Sequence, residues 1–241
     1  GTGIRRIEDR LMPPRHCTTI TAIAALLCTG IAATSLPAQK SKVAAGASNT
    51  AAMLASLDAQ ADHYAGVATQ IWGFAEVGFM ELKSTALLQA ELKNAGFTVT
   101  AGVAGEPTAF VAEYGSGKPV IALLGEFDAL PGLSQDATPS RNPLIAGGPG
   151  HGCGHHLFGT ASTAAAIELK RWMQANNVKG TLRMIGTPAE EGGSGKVYMV
   201  RDGVFNDVDA VIAWHPADEN SITGERTMAN VSGKFRFKGI S

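Results

Sequence analysis

A chain of 241 residues with 45% hydrophobic and 17% charged side chains has enough apolar material for one or two packed domains. It carries too little charge for an extended disordered chain. The formal net charge of −1, with no basic stripe and no aromatic run of the RNA-binding kind, excludes nucleic acid as an expected partner.

From Met12, the expected start, the chain runs MPPRHCTTITAIAALLCTGIAATSLPAQ. Arg15 provides a short basic region, Thr18 to Ala33 an apolar stretch, and small residues lead to Ala38. That is the layout of a secretory signal peptide, so residues 1–38 are expected to be leader and signal. The stretch is too short and too rich in Thr and Ala for a membrane span. The expectation is export to the periplasm or beyond, with no membrane attachment after cleavage. Cleavage removes Cys17 and Cys28 and leaves Cys153 as the one remaining thiol, which rules out an internal disulfide framework.

Residues 39–50, QKSKVAAGASNT, read as a flexible linker of small and polar residues. Apolar residues at steps of three and four predict a helix from Ala51 to about Trp72. A second helix is expected over Thr85 to Ala95, with Ser84 as N-cap and Gly96 past its end. Short strands follow at Phe97–Thr100 and Ala109–Tyr114. Val120–Leu124, VIALL, is a continuous apolar run bounded by turn signals, as a buried strand requires. Leu157 to about Gln174 predicts a helix, Thr181–Gly186 a strand, Lys196–Arg201 a helix and Ala210–Ala213 a third core strand. The alternation predicts an α/β architecture, with a largely parallel central sheet flanked by helices.

The polar residues cluster where those strands end. VIALL runs into GEFDALPG with Glu126 and Asp128; the next strand runs into TPAEEGGSG with Glu190 and Glu191; the last ends in WHP with His215. GPGHGCGHHLFGT, just before a predicted helix, adds His151, Cys153, His155 and His156. Ligands of open α/β sheets collect outside the carboxyl ends of the strands, so the four clusters are expected to share a crevice. Thiolate and imidazole favour zinc and similar transition metals. With Glu191 and His215 they make a ligand set, and Glu190 beside it is placed to move a proton. Each residue has a plainer reading: a buried Cys as a small hydrophobe, the acidic pair as a solvated turn, His215 as a structural histidine. His63, which has no such company, reads as structural. GGSGKV lacks the first glycine and the final Ser or Thr of a phosphate loop. A Cys153–His155 nucleophile pair is too close in sequence to be the usual arrangement.

GEFDALPGLSQ, GHGCGHHLFGT, GTPAEEGGSGKVYMVRDGVFNDVDAVIAWHP and FRFKGIS resemble the aminoacylase/carboxypeptidase G-type metallopeptidases, over about Ala51 to Ser241. The resemblance implies a zinc-peptidase-like catalytic domain and a two-metal amidohydrolase, with zinc or manganese the expected ions. Its substrates would be N-acyl amino acids or small peptides, aminobenzoyl-glutamate among them. By matching motif, Cys153 would bridge two divalent ions, His155, Glu191 and His215 would be further ligands, and Glu190 the general acid/base. Asp128 would orient a site group from behind, and Glu126 and His156 would stand in the second layer. Glu126 departs from the Asp or His of other branches, and His156 from the Asp or Asn that often follows the motif. The family's lid and dimerisation domain would begin at KGIS. Residues 51–241 are therefore expected to be the N-terminal portion of a catalytic domain whose full form is a homodimer or hetero-oligomer. The competing expectation is a non-catalytic fragment or partner subunit that binds metal weakly.

Overall fold

The structure, a computed structural model, describes residues 40–222 and 233–239. The expected signal segment lies outside these residues. The first helix, α1 (Lys40–Asp58), begins inside the segment read as a linker. Its sequence is rich in alanine and free of proline, and alanine is the strongest helix former. The single helix expected from Ala51 is two. A break at Ala59 and Gln60 separates α1 from α2 (Ala61–Phe74), with Gln60 outside helical geometry and its side-chain amide donating back to the Ser56 carbonyl.

Helix α3 (Leu82–Asn94) starts three residues before the expected Thr85, and its N-cap is Glu81 rather than Ser84. The reason lies upstream. The Glu76 carboxylate accepts the backbone N–H groups of Lys83 and Ser84 at 2.9–3.1 Å and the Ser84 hydroxyl at 2.8 Å. A distant acid thus satisfies the donors that a local serine cap would have served.

The strands β1 (Thr98–Ala101), β2 (Phe110–Ser116), β3 (Val120–Gly125), β4 (Gly180–Gly186) and β5 (Ala210–Ile212) form one sheet in the order β1-β2-β4-β3-β5. Pairings β4/β3 and β3/β5 are parallel, whereas β1/β2 and β2/β4 are antiparallel. The sheet is therefore mixed, a parallel half joined to an antiparallel one, rather than largely parallel. A strand's own residues do not encode the direction of its neighbours. The short turns between β1, β2 and β3 leave no room for the crossover that parallel pairing needs.

Helix α4 (His155–Ala175) crosses from β3 to β4. A short turn, α5 (Glu190–Gly193), and α6 (Gly195–Arg201) lead from β4 to β5. Ile71, Leu88, Leu92, Phe110, Leu123, Ile167 and Met184 belong to one core cluster, drawn from α2, α3 and α4 and the sheet. Ala122, Leu124, Ile185 and Met199 belong to a second, which includes α6. Neighbouring residues of β3 fall into different clusters, as side chains on opposite faces of a strand must. Covered on both faces, VIALL reads as an unbroken apolar run. Strand β5 does not share that burial. Val211 and Ile212 are exposed, so the third core strand expected from sequence is a three-residue edge. Among the described residues no helix is long and apolar enough to cross a membrane.

Candidate metal centre

The connections leaving β3 and β4 run to opposite faces of the sheet, which opens a crevice beyond the carboxyl ends of these two strands. Glu126 and Asp128 enter it from β3, Glu190 and Glu191 from β4, and His215 from β5. The Cys/His loop is bound to the β3 loop by a two-residue bridge, in which Leu130 and Gly150 exchange both backbone hydrogen bonds at 3.0 Å. Gly154 then adopts φ +78 and packs against Pro216, where a Cβ would lie 2.9 Å from the proline Cγ. This glycine turns the chain so that α4 starts at His155, two residues before the helix expected from sequence.

His155 is the hub. It is fully buried, and its Nδ1 lies 2.9 Å from Asp128 Oδ1 and 3.1 Å from the Asp128 carbonyl. The other Asp128 oxygen accepts the Glu191 backbone N–H at 2.9 Å. Asp128 thus fixes both an imidazole and the acidic loop. His155 Nε2 faces the crevice, with Glu126 Oε2 at 2.9 Å, His215 Nε2 at 3.4 Å, and carboxylate oxygens of Glu190 and Glu191 each at 3.9 Å. Two groups form around it, Cys153/His155/His215 and Glu126/His155/Glu190, with the donor atoms of each within 4.8 Å of one another.

The electrostatics of this cluster call for positive charge. Burial alone would lower the pKa of His155, but the Asp128 and Glu126 carboxylates outweigh it and raise it to about 10. Burial, then Glu191, holds the Cys153 thiol up at about 11. Burial, with Glu126 and Glu191 nearby, raises the Glu190 carboxyl above its ordinary range. Burial would raise Glu126 as well, yet His155 and Lys196, whose Nζ pairs with Glu126 Oε1, bring it below that range. Among the described residues Glu191 Oε1 is buried without a hydrogen-bond partner, and the buried Glu126 Oε2 faces His155 Nε2 at 2.9 Å as its one close polar contact. Sulfur, imidazole nitrogens and carboxylate oxygens gathered around His155 fit a divalent cation. A thiol held protonated among carboxylates does not suit the nucleophile reading.

The structure brings Cys153, His155, Glu190, Glu191 and His215 to one crevice. It places Glu126 in the donor cluster itself, in front of the second layer expected for it. His156 lies behind the cluster, its ring edge-on to Trp72 at 4.8 Å and 5.1 Å from the buried ring of His151. Burial lowers both of these histidines to about 4 and leaves them neutral. His63, read as structural, contacts Glu91 at 2.8 Å between α2 and α3. The turn from Glu76 to Glu81, which no motif singled out, proves to contact both acid-bearing loops of the crevice. The signal that could have found it is a pair of acids bracketing the turn before a helix. An open cavity of about 900 Å³ adjoins the cluster, lined by Glu126, Phe158, Lys196, Trp214 and His215 among others.

These features are those of a candidate divalent-metal centre at the strand ends of an α/β domain, and the comparisons with known proteins bear on it. The sequence model of peptidase family M20/M25/M40 matches residues 122–232. One of the subunits of the p-aminobenzoyl-glutamate hydrolase of Escherichia coli is 50% identical over 187 residues, covering 77% of this chain and 39% of that protein. The N-acetyl-L-cysteine deacetylase of Bacillus subtilis is 30% identical over 186 residues, 72% of this chain and 41% of its own. Among solved structures, the YxeP protein of Bacillus subtilis, a dinuclear metal-binding peptidase, matches with a TM-score of 0.55 at 27% identity. That match covers 64% of this chain and 42% of the other. The chain belongs to peptidase family M20. It spans about two fifths of the length of these curated relatives.

Proposed function

We propose that this chain carries the catalytic machinery of a metal-dependent amidohydrolase that cleaves the amide bond of N-acyl amino acids or small peptides, aminobenzoyl-glutamate being the leading candidate. The observation that carries the reading is the meeting of Cys153, His155, His215, Glu126 and Glu190 in one crevice, beside a buried Glu191 oxygen with no hydrogen-bond partner among the described residues. The name of the 50% identical relative supports the substrate class. Two divalent ions, zinc or manganese, would be held by Cys153, His155, Glu191 and His215, with Glu126 lying close enough to join. When bound, they supply the positive charge that stabilises a developing oxyanion and acidifies water.

The chain's own groups do the rest. Asp128 holds the His155 ring by its Nδ1, so that Nε2 keeps its lone pair toward the ions. Glu190 has its side chain 47% exposed at the crevice mouth, and its raised pKa suits a group that takes a proton from water and returns it to the leaving amine. The adjoining cavity is of a size for a small acylated amino acid. Residues 51–241 form the catalytic portion, and the signal-like segment at 12–38 supports export. Assembly is with a second copy or a different chain, as the relative's name suggests.

The test is Glu190→Gln, assayed for release of glutamate from aminobenzoyl-glutamate and for bound metal. Turnover is expected to fall about 10²- to 10⁴-fold with metal retained. Undiminished turnover would remove Glu190 from the proton's path. Metal binding without turnover in the unaltered protein would favour a non-catalytic, metal-binding role.

A further inference from the structure

The segment Glu76–Glu81 runs between the two loops that carry the site, touching each. The Glu76 carbonyl accepts the Ala129 N–H at 2.8 Å, one residue after Asp128, and Val77 bridges Ala129 in parallel. Gly78 lies so close to Ala189 that a Cβ on it would be 2.8 Å from the alanine Cα and Cβ. Glu81 is fully buried. Its Oε1 accepts the Ala189 N–H at 2.9 Å and its Oε2 accepts the Thr108 hydroxyl at 2.8 Å. The Thr108 carbonyl in turn accepts the Thr85 hydroxyl at 2.8 Å, and Gln89 donates to Thr85 at 3.0 Å.

Ala189 is not an ordinary loop residue. Its φ of 55 and ψ of 42 lie in the left-handed region, which a residue with a Cβ adopts only when its surroundings hold it there. It directly precedes Glu190. The alternate residues of this loop are pinned by their backbone N–H groups: Thr187 to the Gly125 carbonyl at 2.9 Å, Ala189 to Glu81, and Glu191 to Asp128 at 2.9 Å. Glu190 stands between the last two anchors. A carboxylate 108 residues away in sequence therefore supplies the bond that faces the left-handed residue.

We propose that Glu81 is a positioning residue: its buried carboxylate fixes the Ala189 N–H and so sets the direction in which Glu190 and Glu191 enter the crevice. The roles of Glu190 and Glu191 rest on the hydrolase reading, whereas the anchoring itself does not. Glu81 touches neither substrate nor donor cluster and acts through the backbone alone.

The experiment compares the unaltered protein with Glu81→Ala, Glu81→Gln and Thr108→Val, by amide hydrogen exchange over residues 187–193 and by kcat and KM. In Glu81→Ala, exchange at Ala189 is expected to rise about tenfold or more while β3 and β4 exchange as before. Its kcat should fall about 10- to 100-fold, the usual cost of losing a supporting hydrogen bond behind a metal site, with KM within about twofold. Glu81→Gln keeps an acceptor for Ala189 and a group for Thr108, and is expected within about threefold of the unaltered protein on both readouts. Unchanged protection of Ala189 in Glu81→Ala would overturn the proposal. So would a Gln variant as impaired as the Ala variant with both strands protected. Should Glu81→Ala fail to fold, Thr108→Val, which frees one carboxylate oxygen, is expected to loosen Ala189 several-fold, and protection equal to the unaltered protein would refute the anchor. Absence of turnover in the unaltered protein would refute the hydrolase reading and leave the exchange result standing on its own.

Discussion

The two sides of the metal centre are built on different terms. The inner side, His155 with Asp128, is fully buried, and both Asp128 oxygens and the His155 Nδ1 have partners within the chain. The outer side, Cys153, Glu190 and His215, is partly or largely exposed, and beside it Glu191 Oε1 is buried with no hydrogen-bond partner among the described residues. The inner side can hold its geometry by packing and hydrogen bonds alone. The outer side is a set of donors open to the crevice, which a bound cation would draw together. Fold stability and metal affinity should therefore separate along this line.

The largest expected effect is on the inner side. Asp128→Ala leaves a fully buried imidazole without its acid and is expected to cost about 3–5 kcal/mol of folding stability, read by denaturant melts. His215→Ala on the outer side should weaken metal binding by about 10-fold or more while changing the stability of the metal-free protein by less than about 0.5 kcal/mol. Equal destabilisation by the two would erase the distinction.

A pH series sharpens it. The pKa of His155 is raised from 6.5 to about 10 by its carboxylates, so the folded state holds a proton that the unfolded state releases. That contribution is complete below pH 6.5 and is lost as pH rises toward 10. Stability of the metal-free protein should fall across this window, and the fall should shrink in Asp128→Ala, where Glu126 still faces the ring, and further when divalent metal is added. Glu106 adds a separate slope. Both its oxygens are buried with no hydrogen-bond partner among the described residues, and burial, then Glu81, raises its pKa from 4.5 to about 7. For an acid the sign is that folding is favoured by the protonated form, so stability declines as pH rises from 4.5 to 7. Glu106→Gln should flatten that decline and stabilise the protein above pH 7 by about 1–3 kcal/mol.

Much of this was legible in the sequence, for physical reasons. VIALL announced a strand covered on both faces, and the glycine-rich Cys/His loop and the acidic pair sat where strands end. The residues placed by motif at the catalytic and metal positions reach one crevice. Less legible was whatever depends on distant partners. Glu76 and Glu81 act on backbone N–H groups away from their own positions, and no periodicity carries that signal. The antiparallel half of the sheet, the helix begun at Lys40 and the exposure of β5 were missed alike, because a segment's own residues do not say what will lie beside it.

The smallest effect concerns that exposed edge. Val211 and Ile212 present apolar side chains on a strand that, among the described residues, is paired along one side only. Val211→Lys should reduce concentration-dependent association by light scattering while shifting stability by no more than about 0.5 kcal/mol.

Cobalt titration of the metal-free protein, followed by its visible and sulfur-to-metal charge-transfer absorption, tests the central claim most directly. The account predicts saturation at about two ions per chain and loss of the sulfur band in Cys153→Ser. Failure to saturate, or an identical sulfur band in the serine variant, would contradict it.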